Sequence, residues 1–336
     1  MAVEAGFGPE EACVEVSGGA FQADACDCRV SVRETRNSVT DGVNDQLVTV
    51  VIPSLGRSEL VRTIESVRNQ THRDIEIIVV LDTAMDEGGT ATGADIVLTT
   101  GGGRGAAVGR NMGVAAASGR FVAFLDDDDW WEATKIEKQI ASMTRQSTEF
   151  SYTATYFHSG NTVRTLPITR YGAGSSMGDY LVLRPGLRHG HGYVQSSSIM
   201  LTRRLAQHVA WDESLSKHQD WDLVVRLEEE VGEKVSYVDE PLVHVQQASK
   251  SSISTVRNWR RSVPFYDKHA SSLGKTARGD FIATQILRSA LAAGDGQGIV
   301  YAASGLSKAR VHPAALIVSL YGAVEFGKRL RQRVAS

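Results

Sequence analysis

The chain has only three cysteines, Cys13, Cys26 and Cys28, and all lie within its first 28 residues. An odd number confined to one end excludes a disulfide framework for the rest of the protein. Cys26-Asp-Cys28 lacks the second pair that would complete a structural zinc site. The N-terminus has neither the basic start nor the apolar run of a secretory signal. No apolar stretch reaches about 20 residues, the length that spans a bilayer. These absences predict a cytoplasmic protein. No internal repeat is visible, and no motif for nucleic-acid binding occurs, so no nucleic-acid partner is expected.

What is present is ordinary in amount and uneven in placement. The 42% hydrophobic and 22% charged content of 336 residues suits one large α/β domain or two modest ones. Residues 1–46 hold nine acids and three arginines, a net −6, without hydrophobic periodicity. They read as a poorly ordered extension. Residues 256–336 hold thirteen Lys/Arg and four acids, a net +9, and read as helical from about 257 onward.

Between these ends, short apolar runs alternate with amphipathic stretches. Val48-Thr-Val-Val-Ile-Pro53 reads as a central strand, followed by a helix that Ser58 can cap, with Leu60, Val61, Ile64 and Val67 as its buried stripe. Ile75-Glu-Ile-Ile-Val-Val-Leu81 and Ile96-Val-Leu98 are further strands, and residues 106–117 a second helix. Phe121-Val-Ala-Phe-Leu125 is a strand buried on both faces. Past it, residues 132–143 are amphipathic, and strands are expected at 150–157, 196–202 and 235–238. A helix starts at Asp220. The alternation predicts a Rossmann-like, mostly parallel sheet flanked by helices.

Ligands of such sheets bind beyond the carboxyl ends of the strands. Those ends carry residues 54–57, Asp82, and the run Asp126-Asp-Asp-Asp129. Four adjacent carboxylates repel one another. Alone they read equally as a solvated acidic turn or as a seat for a divalent cation with a bound phosphate. Convergence with Arg57 and Asp82 on one edge favours a metal–nucleotide site. Gly101-Gly-Gly103-Arg-Gly-Ala106 matches a dinucleotide fingerprint, but it follows neither the first strand nor precedes an acid at the right distance.

Val50-Val-Ile-Pro-Ser-Leu-Gly-Arg57, Ile64-Glu-Ser-Val-Arg-Asn-Gln-Thr71 and Glu76-Ile-Ile-Val-Val-Leu-Asp82 together resemble the opening of glycosyltransferase family 2. Gly109-Arg-Asn111, Phe124-Leu-Asp-Asp-Asp-Asp129, Lys135-Ile-Glu-Lys-Gln139, Trp211-Asp-Glu213 and His218-Gln-Asp-Trp-Asp-Leu223 continue the resemblance to about residue 248. It implies a GT-A fold over residues 47–256, with a nucleotide half at 47–131, an acceptor half at 132–256 and a helical region at 257–336. It also implies an inverting, metal-dependent transfer from a nucleotide sugar to a glycan or lipid-linked acceptor in cell-surface polysaccharide synthesis, with a UDP-sugar as the first donor to test. By the same resemblance, Pro53 and Leu55 contact the nucleoside, Asp82 the base, Arg110 the diphosphate and Asp127 the ribose. Asp126 and Asp128 hold manganese or magnesium, and Asp220 is the catalytic base. Leu55 stands where the family often has an aromatic residue, and Gln219 where it often has Glu. The histidine expected after the last strand is Ala248, which leaves His244 in another register and outside the expected metal set.

Other readings stay open on the residues alone. A nucleotidyltransferase also uses aspartate-bound metal but does not need Asp220, and a carbohydrate-binding protein without activity needs neither. Asp220 is also an ordinary first-turn helix acid, and Asp82 an ordinary helix cap. Trp130 and Trp131 read as helix-start packing rather than sugar platforms, and His189-Gly-His191 as a surface or acceptor loop. Near the C-terminus, Leu316-Ile-Val-Ser-Leu-Tyr321 precedes Lys328, Arg329, Arg331 and Arg333. Such a helix either lies on the inner, anionic face of a membrane or packs on the domain with a solvated basic end. Apolar surface helices usually cover a core, which favours the second.

Overall fold

Strand β1 (Val48–Ser54) is the centre of the first half, and every residue in it is buried. Its aliphatic run has no polar face because helices cover both sides of the sheet. Strand β2 (Ile75–Leu81) pairs parallel with β1, β3 (Ile96–Thr99) parallel with β2, and β4 (Phe121–Phe124) parallel with the other edge of β1. The computed structural model describes residues 46–84, 89–172, 174–232, 234–246 and 258–335. Residues 1–45 of the predicted extension, with its three cysteines, lie outside the described residues, as do Ala248 and the Arg333 side chain.

Two helices fix the faces of this parallel half. Helix α1 (Leu60–Arg68) buries Leu60, Thr63, Ile64 and Val67, whereas Val61 stays 44% exposed. Thr63 takes the place expected of Val61 because it reaches the acidic turn. Ser58 does not cap the helix; Glu59 occupies the cap position and the Ser58 hydroxyl bonds its carboxylate at 3.1 Å. Helix α2 (Ala106–Ala116) lies so close to the sheet that a Cβ on Gly113 would sit 2.2 Å from Val51 Cγ1. Its small residues let the backbone approach β1, which sets the position of Arg110 on the same helix.

Beyond β4 the sheet changes direction. The strand order is β3-β2-β1-β4-β8-β6-β9-β5, with β7 paired to β6. Here β5 is Trp130–Trp131, β6 Phe150–Ser159, β7 Thr162–Leu166, β8 Met200–Thr202 and β9 Val235–Gln246. Strand β8 is antiparallel to both β4 and β6, β9 runs parallel to β6, and β5 and β7 are antiparallel to their neighbours. The sheet is therefore mixed rather than mostly parallel. A buried apolar run announces a strand but not its direction, and β8 is too short for any pattern to show it.

Local structure departs from expectation in three further places. Residues 196–198 form a 3₁₀ turn capped by the Gln195 side chain, so the strand expected from 196 starts only at Met200. The two tryptophans are a strand, and helix α3 begins at Lys135 and ends at Gln146. Strand β9 extends to Gln246, eight residues past the expected end at 238. Helices α4 (Met177–Val182) and α5 (Arg203–Val209) frame helix α6 (Gln219–Val231), which carries Asp220 in its first turn.

The C-terminal region is helical as expected: α7 (Val263–His269), α8 (Lys275–Phe281), a π-turn at Ile282–Leu287, α9 (Arg288–Ala293), α10 (Gly296–Leu306) and α11 (Pro313–Ala335). It shares a core with the sheet, since Phe265, Phe281, Ile282 and Ile286 pack in one cluster with Phe150, Tyr152, Leu223 and Val224. The other face of the sheet is covered by α1 and α3 through Leu60, Ile64, Val67, Ile136 and Met143. Among the described residues no helix is long and apolar enough to cross a membrane.

The α2–β1 approach yields a direct test. Gly113→Ala must push the helix off Val51, and the expected loss of stability is about 1–3 kcal/mol, the usual scale of core overpacking. Urea denaturation of the variant measures it. An unchanged midpoint would show that α2 can shift without cost.

Candidate active site

The acidic turn after β4 sorts its four carboxylates by their neighbours. Asp127 is buried, and its Oδ2 accepts hydrogen bonds from Ser54 Oγ at 2.7 Å and the Leu55 amide at 3.2 Å. Arg57 Nη1 approaches its Oδ1 at 3.4 Å. Burial still raises its pKa, against the opposing pull of Ser54 and Arg57. Asp127 therefore ties the turn to the loop after β1. Thr63 Oγ1 lies 3.0 Å from the Asp127 carbonyl and 2.8 Å from that of Asp129, holding the same turn from α1.

Asp129 faces the interior. Its Oδ2 accepts from Ser197 Oγ at 2.7 Å and Gln195 Nε2 at 3.0 Å, and its Oδ1 from the Gln246 amide at 3.0 Å. Burial, with the charges of Asp126 and Asp128, pushes its pKa well up. Asp126 is ion-paired to Arg110 Nη2 at 2.6 Å and also accepts from Gln195 Nε2 at 3.0 Å. One amide thus lies between two carboxylates that would otherwise repel. No motif in the sequence singles out Gln195 and Ser197; two polar residues entering a predicted buried strand are the signal that marks them.

Asp128 differs from the other three. Its one ionic neighbour among the described residues is Arg57, at 3.7 Å. Burial, followed by the charges of Asp126 and Asp127, raises its pKa to about 6. Among the described residues no three or more His, Cys, Asp or Glu side chains gather in a metal-holding group. The donor set is one available carboxylate, with Asp126 beside it engaged by Arg110 and Gln195. Mg²⁺ and Mn²⁺ are commonly held by one or two carboxylates plus phosphate oxygens and water. The residues present fit such an ion when a diphosphate supplies the remaining oxygens, and a cation there would relieve the crowding that lifts Asp128.

At the end of β2, Asp82 organises the glycine loop. Its Oδ1 accepts from Thr100 Oγ1 and from the Arg104 amide at 2.8 Å, and its Oδ2 from the Gly105 amide at 2.8 Å. Each carboxylate oxygen has two lone pairs, so Oδ2 keeps one for a ligand. Pro53 is buried within β1, and Leu55 is 51% exposed at the strand's end.

Arg110 joins the two halves of the site. Besides Asp126 it reaches Gln219 Oε1 at 3.2 Å, and its guanidinium lies 4.3 Å from the centre of the Trp211 ring. Gln219 opens α6 next to Asp220, after His218 has turned the chain with a φ of 63°. Asp220 Oδ1 accepts from the Trp221 amide at 2.9 Å. Desolvation raises its pKa to about 6, although Trp221 and Arg110 pull the other way. The geometry thus links the acidic turn to Asp220 through one buried arginine. Tyr193, for which the sequence offers no signal, lies within electrostatic reach of Asp129, Asp220 and Asp126, and burial with those charges pushes its pKa well up.

The histidines and tryptophans fall elsewhere. His244 Nε2 is 2.8 Å from Glu132 Oε1, and its Nδ1 is 2.9 Å from His158 Nε2. Its ring stacks on Trp130 at 4.6 Å, and the Arg62 guanidinium lies over the same indole at 3.8 Å. His244 is spent on that stack rather than on the acidic turn. Trp130 is engaged by these two side chains, in keeping with a packing role. Trp131 is buried, donates from Nε1 to the Ser197 carbonyl at 2.9 Å, and packs against Lys135.

Residues 49–209 match the model of glycosyl transferase family 2. An amylovoran biosynthesis glycosyltransferase of Erwinia amylovora is 26% identical over 225 residues, 62% of this chain and 72% of that protein. A UDP-Glc:alpha-D-GlcNAc-diphosphoundecaprenol beta-1,3-glucosyltransferase of Escherichia coli is 34% identical over 117 residues, and the match spans 33% of this chain and about half (47%) of that protein. Among solved structures, a mannosyltransferase from Pyrobaculum calidifontis in complex with GDP-Man and Mn²⁺ superposes with a TM-score of 0.51 at 17% identity. The superposition covers 84% of this chain and 86% of the other, and it shows a shared fold. By this match and these relatives, residues 49–209 of the chain form a glycosyl transferase family 2 domain.

Proposed function

We propose that the chain transfers a sugar, with inversion, from a nucleotide-sugar donor to a glycan or lipid-linked acceptor in cell-surface polysaccharide synthesis. The observation that carries this reading is the place of Asp220 in the first turn of α6, next to the Gln219 that Arg110 ties to the acidic turn, where burial raises its pKa to about 6. A pKa near the working pH suits a general base. Neither a nucleotidyltransferase nor a binding protein calls for one there. The two curated relatives, one of amylovoran biosynthesis and one acting on a diphosphoundecaprenol-linked sugar, support the pathway class.

In this reading the donor nucleoside lies along the strand ends, against Leu55 and Pro53, with the free lone pair of Asp82 toward the base. The ribose side of the site is the turn that Asp127 anchors. Asp128, with Asp126 beside it, would hold manganese or magnesium. Such an ion stabilises the negative charge of the departing nucleoside diphosphate. Arg110 keeps a fixed positive charge behind that position. Asp220 accepts the proton of the acceptor hydroxyl as its oxygen attacks the anomeric carbon from the face opposite the leaving group.

The C-terminal helix completes the proposal. Helix α11 packs through Ala315, Val318, Ser319 and Gly322, but Leu316, Ile317, Leu320, Tyr321 and Val324 remain exposed. These five positions form one stripe at helical spacing, and Lys328 and Arg331 continue it. An apolar stripe ending in exposed cations complements the inner, anionic face of a membrane. We assign the enzyme a cytoplasmic, peripheral position there, close to a lipid-linked acceptor.

Four measurements test these assignments. Asp220→Asn should bind UDP and Mn²⁺ normally while transfer slows roughly a hundredfold or more. Asp128→Asn should instead lose the Mn²⁺-dependent part of UDP binding in titration calorimetry. In the metal-saturated wild type, kcat should fall as the pH drops below about 6, because protonated Asp220 cannot take a proton. Wild-type turnover by Asp220→Asn would remove the base. For the helix, wild-type protein should co-sediment with phosphatidylglycerol vesicles and not with neutral ones. The pair Ile317→Glu and Leu320→Glu should stay in the supernatant at an unchanged melting temperature; sedimentation equal to wild type would refute the membrane contact.

A further inference from the structure

Away from the acidic turn, β7 and the loop around His189 frame a cleft of about 480 Å³. Arg164, Thr165, Leu166, Ile168, Arg188 and His189 line it. Arg164 and Arg188 are exposed, and neither has a carboxylate within ion-pair distance among the described residues. Surface arginines are usually balanced by acids, so two unbalanced ones in one concavity mark a place for an anion. Loss of solvent around the His189 ring, then the charges of Arg184, Arg164 and Arg288, push its pKa down to about 4, although part of the side chain faces solvent. Two further cations, Arg184 and Arg288, thus lie within electrostatic reach of the His189 ring.

Part of the lining is apolar: Ile168 is about half exposed and Leu166 is buried. Cations beside an apolar lining fit an amphiphile better than a free ion or a polar glycan. Planar guanidinium groups match phosphate oxygens in charge and geometry.

An aromatic cluster runs from the cleft toward the candidate active site. The Phe157 ring lies 5.6 Å from His189 and 6.1 Å from Tyr193, and His189 lies 6.0 Å from Tyr193. Tyr193 in turn feels the charges of Asp129, Asp220 and Asp126. His189 of the cleft and Tyr193, which lies within electrostatic reach of Asp220, therefore belong to one aromatic cluster. Arg288, whose charge also reaches His189, is bonded to Glu325 of α11 at 2.7 Å, which ties the helix proposed to touch lipid to the same region.

We propose that this cleft binds the phosphate or diphosphate that joins an acceptor sugar to its lipid. Arg164 and Arg188 pair with the phosphate oxygens, and Ile168 contacts the first carbons of the lipid. The acceptor sugar then extends past Tyr193 toward Asp220. The identity of the ligand as an acceptor rests on the glycosyltransferase reading; the cleft's chemistry does not.

The test measures binding of a short-chain prenyl diphosphate in detergent to full-length wild type and to Arg164→Gln/Arg188→Gln. Inorganic pyrophosphate and phosphatidylglycerol are titrated in parallel at one ionic strength. The double variant should bind prenyl diphosphate about tenfold or more weakly, while its melting temperature and Mn²⁺-dependent UDP affinity are unchanged. Arg164→Lys/Arg188→Lys should recover part of the loss by restoring charge without the planar fork. Equal binding by wild type and the Gln variant, or no binding by wild type, overturns the proposal. Loss of UDP affinity along with it assigns the cleft to the donor and also overturns it. Pyrophosphate or phosphatidylglycerol binding as tightly as prenyl diphosphate overturns the lipid-linked assignment. Absence of Mn²⁺-dependent UDP binding in wild type counts against the glycosyltransferase reading alone, since prenyl diphosphate binding is read separately.

Discussion

The pairing of Arg110 with Asp126 is the interaction on which the rest of the site depends. At 2.6 Å and with Arg110 only 5% exposed, it neutralises one of four adjacent carboxylates where water is scarce. A buried guanidinium left alone is costly, so the pair must form as a unit. The same guanidinium holds Gln219, and through it the first turn of α6. Moving Arg110 would loosen the acidic turn and Asp220 together. Its own position follows from the close contact of α2 with β1, which the small residues of that helix permit.

Helix α6 is braced from its other side by the C-terminal region. Asp222, fully buried, accepts from Arg226 at 2.6 Å, His269 at 2.8 Å and Lys268 at 2.7 Å. Burial alone would raise its pKa, yet these partners hold it well below the usual carboxylate range. His218, just before the helix, reaches Ser262 Oγ at 3.0 Å. The helices after residue 258 are thus part of what orients Asp220. Their shared core with the sheet makes the same point in apolar terms.

Much of this is legible in the chain, and the limit has a physical cause. Strands β1, β2 and β4 announce themselves because a strand buried on both faces must be apolar throughout. Asp82, Arg110 and Asp220 are marked by motif spacing. The sequence does not show that Asp128 is the least engaged of the four aspartates in the acidic turn. That depends on partners far away in the chain: Ser54 and Arg57 for Asp127, Gln195 and Ser197 for Asp129, Arg110 for Asp126. Nor does it show the direction of β8, set by a 3₁₀ turn that one side chain caps, or the covering of Trp130 by Arg62 and His244. Such features arise from packing between halves rather than from local pattern.

The central claim is a single displacement, with one base at Asp220 and no protein nucleophile at the sugar. The anomeric configuration of the product reports on it most directly. Nuclear magnetic resonance of the transfer product, compared with the donor, should show the sugar's anomeric configuration inverted. A product with the donor's configuration retained would require two displacements or a different face of attack, and would contradict the role given to Asp220.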